Sequence, residues 1–167
     1  MRVPVVSIVS QKAKSGKTTL IEKLVHIFKS RNLRVAVVKH TDHEFEIDVP
    51  GRDTWRHDRA GADVVVIAGP HRVAVLEKVK QEKKVEEILE QIPPVDIVLV
   101  EGYKRGPYPK IQLMTAEEAE KKDLIISPAE LIAVVCDRRL SDLPVPCFTF
   151  NEARRIADFL QEKFLAR

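Results

Sequence analysis

Residues 10–20, SQKAKSGKTTL, bring together a glycine, a lysine and a threonine in the order Gly16, Lys17, Thr18. In a loop that opens a helix, that order suits phosphate. The glycine lets backbone N–H groups approach the anion, the lysine reaches the terminal phosphoryl groups, and the hydroxyl faces a Mg²⁺ ion. Lys12, Lys14 and Ser15 add positive charge and a donor. The full pattern for such a loop, G-x-x-x-x-G-K-[ST], places another glycine at position 11, where this chain has Gln11. That first glycine shapes the start of the loop, whereas the cradle itself lies further on.

A nucleotide site also needs a carboxylate near the metal. In VDIVLVEGYK, apolar residues 97–100 deliver Glu101 to the end of a strand, and Gly102 lets the chain turn away. Glu101 is therefore expected to ligate Mg²⁺ or orient water. Asp96, at the strand's other end, reads as structural. Lys39 ends a second apolar run and is expected to meet an anion. In HTDHE, residues 40–44, His40, Asp42, His43 and Glu44 suit a polar pocket or a solvated loop. They make a weak zinc pattern, because H-x-x-H lacks a second pair of ligands. Lys104, Arg105 and Lys110 follow Glu101 closely, with Arg52 in another loop, and read as a basic rim or a cradle for an anion. Tyr103 and Trp55 suit either stacking on a flat ring or simple packing.

These groups need strands behind them. Apolar, β-branched runs recur in VPVVSIVS, RVAVVK, DVVVIAG, DIVLVEG and LIAVVCD, separated by helical or polar stretches. Runs so continuously apolar read as strands buried on both faces of a parallel sheet. Leu20, Leu24, Ile27 and Phe28 repeat with helical spacing, and Asn32 is a stop. Asn151 is the expected N-cap of a last helix that buries Ile156, Phe159, Leu160 and Phe164. AGPHRVAVLEK reads as an antiparallel hairpin turning at Gly69–Pro70, and VKQEKKVEEILEQI as a charged surface helix. The expectation is one α/β domain over residues 1–167. It has a P-loop NTPase fold: a mostly parallel sheet, an antiparallel hairpin and helices on both faces.

Composition narrows the classes. The chain has 167 residues, 44% hydrophobic and 32% charged, enough for one packed core and too apolar for disorder. A net charge of +3 gives no argument for nucleic acid. No apolar run approaches the roughly 20 residues of a membrane span. Cys136 and Cys147, the only cysteines, read as small buried hydrophobes and fit a reducing cytoplasm.

Further motifs lie in VVKHTDHEFEIDVPGRDTWRHDRAGAD: Lys39–His40, Asp48, Pro50–Gly51–Arg52–Asp53 and Ala60–Gly61–Ala62. With LVEGYK and PKIQL, they make the chain resemble the MobB family from about Val3 to Asp137. These are the molybdopterin-guanine dinucleotide biosynthesis adapter proteins, P-loop proteins that bind GTP. That family is relaxed at the first loop glycine, which accommodates Gln11. The resemblance implies GTP and Mg²⁺ as cofactors, with Ala13, Lys14, Ser15, Gly16, Lys17, Thr18 and Thr19 around the phosphates. It also implies Thr18, Asp48 and Glu101 near the metal.

Implied partners are molybdopterin or its guanine dinucleotide, the molybdenum cofactor guanylyltransferase, and a second copy of the chain. A hairpin edge strand is one way for two copies to pair. Lys12 falls where some dimeric P-loop ATPases carry a lysine that reaches the partner's nucleotide, though a solvated lysine fits equally. Asp137, ending LIAVVCD, is a candidate for reading guanine, because a carboxylate accepts from N1–H and N2–H₂ together. It is equally a turn cap or a partner of Arg138 or Arg139. Two other readings stay open. A dethiobiotin-synthetase-like ligase or a kinase needs an acceptor pocket and fast turnover. A GTPase metallochaperone needs a richer metal-delivery cluster than HTDHE.

Overall fold

The computed structural model describes residues 3–12 and 14–166. The elements, in chain order, are β1 (Val5–Ser10), α1 (Lys17–Ser30), β2 (Val35–Lys39), α2 (Asp53–Arg59), β3 (Val64–Gly69), β4 (Arg72–Glu77), α3 (Val85–Glu90), β5 (Ile97–Glu101), β6 (Lys110–Leu113), α4 (Ala116–Glu120), β7 (Leu131–Cys136), β8 (Cys147–Thr149) and α5 (Ala153–Phe164). The sequence reads as one domain. The backbone gathers into two compact units, Met1–His40 with Gln91–Arg167, and Thr41–Glu90.

The first unit is built on a six-stranded sheet in the order β2-β5-β1-β6-β7-β8, parallel throughout. Successive residues of a strand face opposite sides, and the core divides accordingly. Val6, Ile8, Ile97, Leu99, Ile111 and Leu113 meet Leu20, Leu24 and Phe28 of α1 and Ile156 and Leu160 of α5. Val9, Val134, Cys136 and Cys147 meet Met114, Ala119 of α4 and Ile126. Burying each large aliphatic or aromatic side chain contributes about 1.5–3 kcal/mol, so both faces of this sheet stabilise the unit.

Helix α1 ends as the sequence suggests. Asn32 takes left-handed backbone (φ +59°). Its N–H donates to Lys29 O (3.0 Å), and the Leu33 N–H to Phe28 O (3.1 Å). This paired closure of a helix end favours glycine or asparagine, and it turns the chain into β2.

Four details differ from the sequence reading. PKIQL contains a buried strand, β6, which two polar residues disguised. The Gln112 side-chain amide donates to Asp123 O (3.1 Å) and accepts from the Ile125 N–H (3.1 Å), so its burial leaves neither group unsatisfied. The run DVVVIAG is a strand but not a doubly buried one, since Val65 is the one buried residue of β3. Of the charged stretch 79–92, only Val85–Glu90 is helical. Helix α5 takes Glu152 rather than Asn151 as N-cap. There the Glu152 carboxylate accepts from the Thr149 N–H (2.9 Å).

The second unit contains the hairpin β3–β4, a two-stranded antiparallel ribbon with Gly69 opposite Arg72 across the turn. Val64, Val66, Ile67, Val73 and Val75 are all exposed there, and Val65 alone in β3 is buried. Lys78 extends the ladder through its N–H to Asp63 O (2.9 Å). Among the described residues no helix is long and apolar enough to cross a membrane.

Candidate functional site at the carboxyl edge of the sheet

Strands β1, β2 and β5 run parallel and adjacent, so Ser10, Lys39 and Glu101 all come out at one edge. Ligands in open parallel sheets bind at this edge. The register places Lys39 directly opposite Glu101. The loop from β1 to α1 closes over the same edge. Gly16, at its end, holds φ +87°, left-handed backbone that favours glycine. A side chain at Gly16 would also meet the Phe150 ring, which lies 3.1 Å from where its Cβ would sit. The backbone carbonyl of Phe150 accepts from the Lys23 ammonium (3.1 Å), tying α1 to that ring.

Within this frame the predicted side chains converge. The Thr18 hydroxyl donates to both oxygens of Glu101, at 3.1 and 3.2 Å. The Lys39 ammonium lies 3.9 Å from the nearer of those oxygens. Lys17 folds back over the loop, donating to Ser10 Oγ (2.7 Å) and Ser15 Oγ (3.2 Å). Burial holds the Lys17 ammonium below the ordinary lysine pKa; the positive charges of Lys104 and Lys39 act in the same direction, and Glu101 opposes them. Thr18 and Glu101 form an all-oxygen donor set, which suits a hard divalent cation. An exposed loop with a left-handed glycine and a lysine at a helix start suits phosphate.

Two contributors escaped sequence reasoning. Ser10 accepts from Lys17 while donating to Lys12 O (2.7 Å), so it both shapes the loop and holds its lysine. Its signal was its place as the last residue of β1. Phe150 has no local signal, because β8 brings it to Gly16 from far along the chain.

Other expectations fall elsewhere. Ala13 lies outside the described residues. Lys14 holds left-handed backbone (φ +54°), and Thr19 is exposed in the first turn of α1. Asp48 and Arg52 belong to the second unit. Asp48 Oδ1 accepts from the Val49 N–H (2.8 Å), and its Oδ2 is buried with no partner among the described residues. Lys12 is largely exposed, its side chain 70% accessible, and it pairs with Glu118 (3.0 Å), the acid of α4's capping box.

Lys110 is not part of a basic rim, since it is wholly buried in the sheet. Tyr103 packs on the His40 ring, with centroids 4.3 Å apart. Trp55 lies beneath Arg59, whose guanidinium is 5.4 Å from the ring centre. Asp137 emerges exposed at the end of β7. Arg138 and Arg139 pair with Glu120 and Glu152 instead, so Asp137 has no hydrogen bond or ion pair among the described residues.

Among the described residues no three His, Cys, Asp or Glu side chains gather as a metal-binding group. Cys136 and Cys147 are buried free thiols with sulfurs 3.5 Å apart. Burial pushes the Cys136 thiol up to about 11, so at neutral pH it is a protonated packing group.

Comparison with known proteins bears on this arrangement. A molybdopterin-guanine dinucleotide biosynthesis adapter protein of Haemophilus influenzae is 35% identical over 153 residues, covering 88% of this chain and 82% of that one. Its Escherichia coli counterpart is 30% identical, over 89% of this chain and 86% of its own. A crystal structure of molybdopterin-guanine biosynthesis protein B (32% identical) superposes with a TM-score of 0.74, covering 95% of this chain and 99% of the other. That of Bacillus subtilis MobB (25% identical) gives 0.77, over 96% and 98%. The model of MobB, molybdopterin guanine dinucleotide synthesis protein B, matches residues 5–137, and the chain belongs to that family.

Proposed function

We propose that the chain binds GTP with Mg²⁺ at the carboxyl edge of its parallel sheet. From there it serves as an adapter in the formation of molybdopterin guanine dinucleotide, beside the guanylyltransferase and in the cytoplasm. The observation that carries the nucleotide reading is the convergence of Ser10, Lys17 with Thr18, and Glu101 from β1, α1 and β5. Gly16 and the N–H groups that open α1 would cradle phosphate, and Lys17 would leave Ser10 and Ser15 for the terminal phosphoryl oxygens. Thr18 and Glu101 would hold Mg²⁺, which supplies charge neutralisation on the polyphosphate when bound. Lys39 adds a cation on the β2 side, and Asp137 stands ready at a strand end to accept from guanine. The family's adapter name supports the pathway. The exposed apolar ribbon of Val64, Val66, Val73 and Val75 supports a homodimer in which a second copy covers it.

Turnover should be slow. Among the described residues no arginine pairs with Thr18 or Glu101, and an arginine on the transferring phosphoryl group is worth about 10³–10⁵ in rate. The test is steady-state GTP hydrolysis by the isolated chain, with guanylyltransferase product formation measured in its presence and absence. Hydrolysis well below about 1 s⁻¹, with product formation raised by the chain, is the expected result. Faster hydrolysis with no effect on the transferase contradicts the adapter reading.

A further inference from the structure

The loop between β5 and β6 is held more tightly than an exposed connection requires. Its first residue, Gly102, donates its N–H to Ile8 O (3.1 Å), and its last, Pro109, accepts from the Ser7 N–H (2.9 Å). Both ends are thus fastened to β1, the strand that feeds the phosphate loop. Gly102 and Tyr103 take successive left-handed conformations (φ +96° and +51°). The Gly106 N–H closes a turn onto Tyr103 O (3.0 Å), with Lys104 and Arg105 at its tip. Left-handed backbone at a tyrosine is unfavourable and persists only where its surroundings impose it.

Lys110 pins the second half of the same loop. Its side chain is 0% exposed, and its ammonium donates to Gly106 O, Tyr108 O (3.0 Å) and Glu130 Oε2 (2.9 Å). An ammonium has three protons, and all three are used inside the fold. The result is an exposed Lys104 that makes no hydrogen bond or ion pair among the described residues. Lys104 stands three residues beyond Glu101, on a loop whose first N–H is fastened to Ile8 O at the same carboxyl edge as Lys17. Like charges at one edge repel, and an anion between them relieves that repulsion.

We infer that Lys104 is a further cation of the phosphate site, contacting the terminal phosphoryl group of a nucleoside triphosphate, and that buried Lys110 is its positioning residue. The inference rests on the nucleotide reading above and assigns the loop's rigidity a purpose within it.

The experiment is calorimetric titration of the full chain with Mg·GTP and Mg·GDP, using wild type, Lys17→Ala, Lys104→Ala, Lys104→Arg, Arg105→Ala and Lys110→Met. Lys104→Ala should weaken GTP about tenfold, the scale of one charge-assisted hydrogen bond at a partly screened site, and leave GDP within about twofold. Lys104→Arg should restore most of the loss, and Arg105→Ala should change neither nucleotide. Lys110→Met should lower the melting temperature and also compress the GTP-to-GDP ratio as Lys104→Ala does. Adding Lys104→Ala to it should then compress the ratio no further.

An unchanged ratio in Lys104→Ala overturns the inference, as does equal loss from Arg105→Ala, which would indicate a diffuse field. Independent, additive losses in the double variant overturn the positioning role of Lys110. If Lys110→Met does not fold, Glu130→Gln, which removes one of its three acceptors' charges, takes its place with the same ratio expected to narrow. If wild type and Lys17→Ala bind GTP alike, the nucleotide reading itself fails and the inference falls with it. Loss in Lys17→Ala but not in Lys104→Ala removes the inference alone.

Discussion

Residues 63–69, DVVVIAG, and residues 96–102, DIVLVEG, are nearly the same sentence in sequence: an aspartate, a β-branched apolar run, then a glycine. Their fates differ. In β5, Ile97 to Val100 are almost wholly buried, with β2 on one side and β1 on the other. In β3, Val66 is 57% exposed and β4 is the only neighbouring strand among the described residues. An apolar run specifies an extended chain. Its burial depends on which strands and helices arrive on each side of it. The difference of function follows: the strand with two neighbours delivers Glu101 to a fixed point beside Thr18, and the ribbon with one neighbour presents a surface.

The largest effect expected is on folding. Val100→Asp puts a charge in a fully buried position and should cost at least about 4 kcal/mol. That is comparable with the whole stability of a small domain. Val66→Asp should cost under about 0.5 kcal/mol, as surface changes do, while dispersing a dimer built on the ribbon. Thermal denaturation and sedimentation velocity check the pair. Equal losses of stability would erase the contrast between the two strands, and an undisturbed dimer would remove the ribbon from its interface.

Much of this contrast was unreadable in advance, for a definite reason. The strand runs, the stop at Asn32, the hairpin and the residues of the candidate phosphate loop are local signals carried by chain chemistry within a few positions. Whether DVVVIAG is buried is a non-local fact, set by neighbours that a single stretch does not name. The same holds for β6, whose Lys110 and Gln112 look like surface residues until their partners, Glu130, Asp123 and Ile125, are in place. At the site, Gly16, Lys17, Thr18 and Glu101 were legible because motif spacing and a strand end announce them. Ser10 and Phe150 were not, since each acts through a contact that only the folded chain creates.

The next effect sharpens what β5 delivers. Glu101→Gln keeps shape and removes the charge a hard cation requires. It should weaken Mg²⁺-dependent GTP binding about tenfold or more, with no loss of stability beyond about 0.5 kcal/mol. Unchanged Mg²⁺ dependence would make Glu101 a structural acid for Thr18 and Lys39. The smallest effect concerns β7, a second strand that brings a carboxylate to the same edge. Asp137→Asn should lower the preference for GTP over ATP by about tenfold, the scale of one unsatisfied polar contact, and raise the relative affinity for XTP. An unchanged ranking of the three nucleotides would show that Asp137 does not read the base.

The central claim is that the loop after β1 is a triphosphate site held by Lys17. Calorimetric titration with Mg·GTP of wild type and Lys17→Ala, at one salt concentration and with melting temperatures compared, tests it most directly. The account predicts binding by wild type and a loss of about 100-fold or more in the variant. Stability should be unchanged, since among the described residues Lys17 bonds only to the loop hydroxyls of Ser10 and Ser15. Affinities within twofold of each other would contradict it.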